Sequence, residues 1–106
     1  MSVLMEFAMF PTDKGESVSA EVSRIIEMIR ASGVAYQLTP MGTIIETRTV
    51  AEALEIVARA HELLASDAQR IYATVKLDIR KGRDGRMAGK IRSIVDKIGD
   101  VGSDID

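Results

Sequence analysis

The stretch Tyr36-Gln37-Leu38-Thr39-Pro40-Met41-Gly42-Thr43-Ile44-Ile45-Glu46 decides the fold. Two short apolar runs flank a turn built on Pro40 and Gly42, which predicts two strands joined by a tight connection. Working outward, a helix-patterned segment precedes the first strand and another follows the second, so the hairpin divides the chain into two similar halves. On the N-terminal side Val18, Val22, Ile25, Ile26 and Ile29 share one helical stripe, with Ser17 as the expected N-cap and Gly33 as the stop. On the C-terminal side Thr49-Val50-Ala51-Glu52 is a capping box. Val50, Ala53, Leu54, Val57, His61 and Leu64 then continue on one face and predict a helix from Val50 to Ala65.

Further out, Val3 to Phe10 is an apolar run stopped by Pro11, the expected first strand. Arg70 to Ile79 alternates: Ile71, Ala73, Val75, Leu77 and Ile79 point one way, Tyr72, Thr74, Lys76, Asp78 and Arg80 the other. This is the fourth strand. Met87, Ile91, Ile94, Val95 and Ile98 form a third amphipathic stripe closed by Gly99. With right-handed crossovers, that order predicts an α+β ferredoxin-like βαββαβ plait, an antiparallel four-stranded sheet with helices on one face, plus an extra C-terminal helix. Residues 1–99 make the single expected domain, and the acidic segment 100–106 is expected to fray.

Composition narrows the function classes. The 106 residues are 46% hydrophobic, enough for one modest core of a size often stabilised by oligomerisation. The net charge of -2 gives no overall field toward nucleic acid or membrane. There is no cysteine, which removes disulfides, iron-sulfur clusters, thiolate zinc sites and thiol nucleophiles and fits a reducing compartment. No stretch approaches the roughly 20 apolar residues of a membrane span, so the expected location is cytoplasmic. No serine has a histidine and an acid arranged for nucleophilic catalysis, and no glycine-rich phosphate loop follows a strand. The expectation is a protein that is not an enzyme and carries no cofactor.

The fourth strand's polar side should lie on the sheet's open face, together with Glu6, Glu46, Gln37 and Thr39. That face also carries Leu4, Ala8, Phe10 and Ile44, too mixed for a plain solvated surface. A second sheet or subunit is therefore expected against it, with a ligand or water among the polar groups.

Several of these residues together resemble a known family. Pro11 ending the first strand, Ser17, Tyr36, the run Met41-Gly42-Thr43-Ile44-Ile45-Glu46, the segment Lys76-Leu77-Asp78-Ile79-Arg80 and Lys90 on the last helix look like the YkoF-like thiamine-binding proteins. The resemblance covers residues 3–98. Where many members carry Asp-Asp-Arg, this chain has Asp78-Ile79-Arg80. The resemblance implies a single ferredoxin-like unit assembled as a homodimer or dimer of dimers, with thiamine or its hydroxymethylpyrimidine half as ligand. Thiamine has a fixed positive charge and an aminopyrimidine, so its site needs a carboxylate, neutral hydrogen-bonding groups and flat apolar surface. Glu46 is the first candidate carboxylate and Glu6 the second. Thr39, Thr43 and Gln37 are candidates for hydrogen bonds to the ring, and Met41 with Tyr36 or Phe10 for its cover.

Each candidate has a structural alternative. Glu46 and Glu6 can form cross-strand ion pairs with Lys76 or Arg48, worth about 0.2–1 kcal/mol. Gly42 and Thr43 can serve the turn alone. Asp78 is a candidate for the ligand, or else for pairing with a neighbouring chain or capping the third helix. His61 has no second ligand at metal spacing and reads as a helix-flank residue. Two other functions stay open: a homo-oligomeric assembly module, and a phosphate or nucleic-acid binder through Lys76–Lys97, where eight basic residues face three acidic ones. RNA recognition is the weaker of these, since the strand Thr43–Arg48 has no aromatic side chain on which a base stacks.

Overall fold

The computed structural model describes residues 1–82 and 85–102. Its elements are β1 (Ser2–Pro11), α1 (Ser19–Ser32), β2 (Ala35–Thr39), β3 (Gly42–Thr47), α2 (Val50–Ala65), β4 (Ile71–Arg80) and α3 (Arg86–Ile98). The sheet is antiparallel in the order β2-β3-β1-β4. The ferredoxin-like plait with an added C-terminal helix is therefore the fold. The segments at 83–84 and 103–106, which include most of the predicted tail, lie outside the described residues.

β1 is central and sets the two faces. It pairs with β3 from Val3 opposite Thr47 to Phe7 opposite Thr43, and with β4 from Ser2 opposite Arg80 to Pro11 opposite Ile71. Val3, Met5, Phe7 and Met9 alternate onto the helix side and pack with Ile45 of β3, Ile25 and Ile29 of α1, and Ala53, Ile56, Ala60 and Leu64 of α2. Burying each of the larger side chains contributes about 1.5–3 kcal/mol. Ser2, Leu4, Glu6, Ala8 and Phe10 alternate to the other side, as expected.

Three sequence expectations shift. Helix α1 starts two residues after Ser17, with Val18 as N-cap and no side-chain cap, because the first turn closes on the Val18 carbonyl: Val22 N–H donates to it at 2.9 Å. Gly33 does end α1, in the left-handed conformation at φ 82°. The buried stripe of α2 runs through Ala53, Ile56, Ala60 and Leu64 and leaves Leu54 and His61 exposed. Two fully buried alanines let the helix approach closely, and the larger Leu54 is turned outward. The Thr49 side chain accepts from Glu52 N–H at 3.1 Å, and the Glu52 carboxylate accepts from Arg48 N–H at 3.5 Å, a capping box displaced by one residue on its return leg.

The third shift concerns β4. Val75, Leu77 and Ile79 share the helix side with β1, yet are 38%, 38% and 52% exposed. α2 lies chiefly over β1 and meets β3 and β4 about equally, and β4 is an edge strand. The strand's apolar side faces the helix layer without being covered by it.

Candidate functional site

What lies against the open face, among the described residues, is α3 of the same chain. It crosses onto β3 and β1, and its attachment begins at a helix start with no local cap. Gly85 sits there at φ 63°, a backbone conformation glycine adopts without strain, and supplies no side chain. Glu46 of β3 takes over the capping. Its Oε2 accepts from Arg86 N–H at 3.0 Å and its Oε1 from Met87 N–H at 3.2 Å, while the Ser2 hydroxyl donates to Oε2 at 2.7 Å. Burial pushes the Glu46 carboxyl up, but the Ser2 hydroxyl, the two amides and the Arg86 charge outweigh it and hold it below the usual glutamate range. A carboxylate at the first turn also meets the positive end of the helix dipole.

Arg86 completes the joint. Its guanidinium is buried, donates from Nε to the Ser2 hydroxyl at 3.2 Å and from Nη2 to the Ser2 and Asp78 carbonyls, and pairs with the Asp78 carboxylate at 3.1 Å. Lys90, one turn on, donates to the same Asp78 oxygen at 2.9 Å. These lysine and arginine contacts hold the Asp78 carboxyl below its ordinary range. α3 is thus fastened to β1, β3 and β4 at its N-terminal turn, while Ile94 and Ile98 farther along are exposed.

Beneath this roof lies a cleft of about 420 Å³, within the size range of small-molecule sites. Leu4, Ile44, Met87 and Ile91 give it apolar walls, and Glu6, Gln37, Lys76, Asp78 and Lys90 give it polar groups. Glu6 and Lys76 pair across the strands at 3.6 Å, and both are exposed. The alternative reading of Glu6, a cross-strand ion pair with Lys76, is therefore realised.

The ten candidate residues separate into distinct places. Glu6, Gln37 and Asp78 line the cleft. Glu46 shares their face, but its oxygens are engaged in holding α3 and it is not among the cleft's lining residues. Phe10, Thr39, Met41, Gly42 and Thr43 line a second, mostly apolar depression of about 270 Å³ at the far end of the sheet, next to Val22 and Ile26 of α1. Thr43 is buried on the helix side, and Thr39 is spent on the turn, donating to the Gly42 carbonyl at 2.8 Å and accepting from Met41 N–H at 3.3 Å. Gly42 is needed because a Cβ there would stand 3.1 Å from the Phe7 carbonyl oxygen. Tyr36 packs against the core cluster on the helix side. Phe10 stands beside Tyr72 on the open face, ring centres 5.8 Å apart.

Leu4, Ile44, Met87, Ile91 and Arg86 were not singled out as site residues from the sequence. For Leu4 and Ile44 a signal existed, the mixed character of the open face. For Arg86 there was none, since its partners are 8 and 84 residues away.

A single ferredoxin-like plait whose open face is partly roofed by its last helix, over a mixed cleft, defines the structural class. Residues 5–95 match the family described as thiamine-binding protein, and the chain belongs to that family. A UPF0045 protein of Mycobacterium bovis is 38% identical over 94 residues, 89% of this chain and 92% of that protein. The crystal structure of a Methanocaldococcus jannaschii protein superposes with a TM-score of 0.79 at 29% identity, covering 88% of this chain and 95% of the other. A Thermotoga maritima protein provisionally named for thiamine biosynthesis or salvage superposes with a TM-score of 0.76 at 20% identity, covering 89% and 99%, a likeness of fold. No helix among the described residues is long and apolar enough to cross a membrane.

Proposed function

We propose that this chain is a cytoplasmic, non-catalytic protein that captures thiamine, or its hydroxymethylpyrimidine half, reversibly in the cleft beneath α3. The observation that carries the reading is the composition of that cleft. Leu4, Ile44, Met87 and Ile91 offer apolar walls to a flat ring. Glu6 and Asp78 offer carboxylates to the thiazolium charge or the exocyclic amine, and the Gln37 amide offers both a donor and an acceptor. Membership of the thiamine-binding family supports the same ligand class. Glu46 acts at one remove, by holding α3 where Met87 and Ile91 form the roof.

Isothermal titration calorimetry with thiamine, hydroxymethylpyrimidine and an RNA oligonucleotide tests this. Saturable micromolar binding of thiamine, weakened in Glu6→Gln and Asp78→Asn, is expected, with no heat from RNA. Absence of heat at several temperatures from folded protein would overturn the reading.

A second reading, compatible with the first, is self-association as a homodimer or dimer of dimers. The uncovered apolar row of Val75, Leu77 and Ile79 on the edge strand β4 favours it, since such a row on an edge invites pairing with another copy. Sedimentation velocity across a dilution series distinguishes an oligomer from a monomer.

A further inference from the structure

The cleft carries more positive charge than a purely cationic ligand can use. Its lining contains two carboxylates, Glu6 and Asp78, and two ammonium groups, Lys76 and Lys90. Asp78 is in addition bound to the buried guanidinium of Arg86. That guanidinium is matched by the Glu46 carboxylate at the same joint, so the cleft itself keeps two ammonium groups against two carboxylates. A cation entering alone would take Glu6 from Lys76 or Asp78 from Lys90 and leave an unpaired lysine as its like-charge neighbour.

Both lysines are placed to be released. Their side chains are 81% and 61% exposed, and each is held in the cleft by an exposed ion pair. Exposed pairs of this kind are weak, because water and salt compete for both partners. They come from opposite sides of the cleft, Lys76 from the sheet floor and Lys90 from the α3 roof. A ligand with charges of both signs would exchange these pairs instead of merely breaking them. Its cation or amine would take the carboxylates, and an anionic group would take the two ammonium groups in charge-assisted hydrogen bonds.

We infer that the cleft reads a phosphate monoester, so that the ligand is the phosphorylated form of the aminopyrimidine or thiamine and not the free alcohol. The inference rests on the thiamine-class reading above and names the form of that ligand. A phosphate monoester loses its second proton with a pKa of about 6. Its attraction to Lys76 and Lys90 therefore rises as pH increases through that value.

Calorimetric titration of the full chain with thiamine monophosphate, thiamine and phenyl phosphate, at two salt concentrations and at pH 5.5 and 7.5, separates the possibilities. The expected result is that the monophosphate binds at least tenfold tighter than thiamine at pH 7.5 and low salt. That preference should shrink at pH 5.5 and at high salt, and the affinity ratio should fall toward one in the double variant Lys76→Met and Lys90→Met. Circular dichroism confirms that the double variant is folded, and each single variant is a second route should it not be. Saturable thiamine binding with equal or weaker binding of the monophosphate overturns the inference and leaves the thiamine reading standing. Phenyl phosphate binding as tightly as thiamine monophosphate, with no thiamine binding, overturns the thiamine reading on which it rests. Heat from none of the three overturns both.

Discussion

β1 and β4 are each ten residues long, pair along their whole length and both turn apolar side chains to the helix side, yet β1 is mostly buried while in β4 only Ile71 escapes exposure. Val3, Met5 and Phe7 sit directly opposite Ile79, Leu77 and Val75, on the same side of the same sheet. The difference is position. β1 has a strand on each flank and α2 above it, whereas β4 has one neighbour and lies at the margin of the helix layer. Strand pattern fixes which way a side chain points; what covers it is settled by the packing of other elements.

The comparison breaks first at its centre. Phe7→Ala should cost about 3–5 kcal/mol in urea-unfolding stability, and Val75→Ala, directly opposite, less than about 1 kcal/mol in the isolated chain. Phe7→Leu keeps the comparison measurable if the alanine variant does not fold. Equal costs would mean that β4 is covered in solution. Glu46→Ala should cost about 1–2 kcal/mol, confined to α3: the Arg86 and Met87 amides lose protection from hydrogen exchange while those of β1 keep it. Uniform loss of protection would contradict the local role.

Acid should act as a milder form of that substitution. Glu46 and Asp78 both have carboxyl groups held below their ordinary values in the folded chain. Their contribution is thus complete above the ordinary carboxylate range and is lost as pH falls through the lowered folded-state values. Helical signal from α3 should decline in that acid window before the core unfolds, and no decline should occur between pH 6 and 8. The smallest effect on stability belongs to Ile79→Asp, at the most exposed position of the row at 52%, expected within about 0.5 kcal/mol of wild type in the monomer. Its readout is sedimentation: any oligomer joined through β4 should dissociate, and an oligomer left intact would place the contact elsewhere.

Much of the fold was legible because its signals are local. The Pro40–Gly42 turn, the Thr49 cap, the Gly33 stop and the alternation of β4 each involve residues close in sequence. Of the candidate site less was legible. Thr43 and Glu46 are three apart in one strand and so face opposite sides of the sheet, a separation that the strand period alone dictates. The capping of α3 by Glu46 was not readable, since the amides it serves are 40 and 41 residues away and the helix start offers only Gly85. Likewise Ala53 and Ala60 carry α2's close approach, and nothing in the apolar pattern alone distinguishes them from Leu54 as the inward face.

The joint at Glu46 gives α3 one more property. Side chains in a strand change faces with every residue, so slipping β3 by one position against β1 would turn Glu46 toward the helix layer. The slip would also take Glu46 away from the Ser2 hydroxyl that shares its Oε2 with Arg86 N–H. α3 would then face the sheet with its first amides unpaired and no carboxylate to receive them. The seating of α3 therefore depends on the register of the strands beneath it.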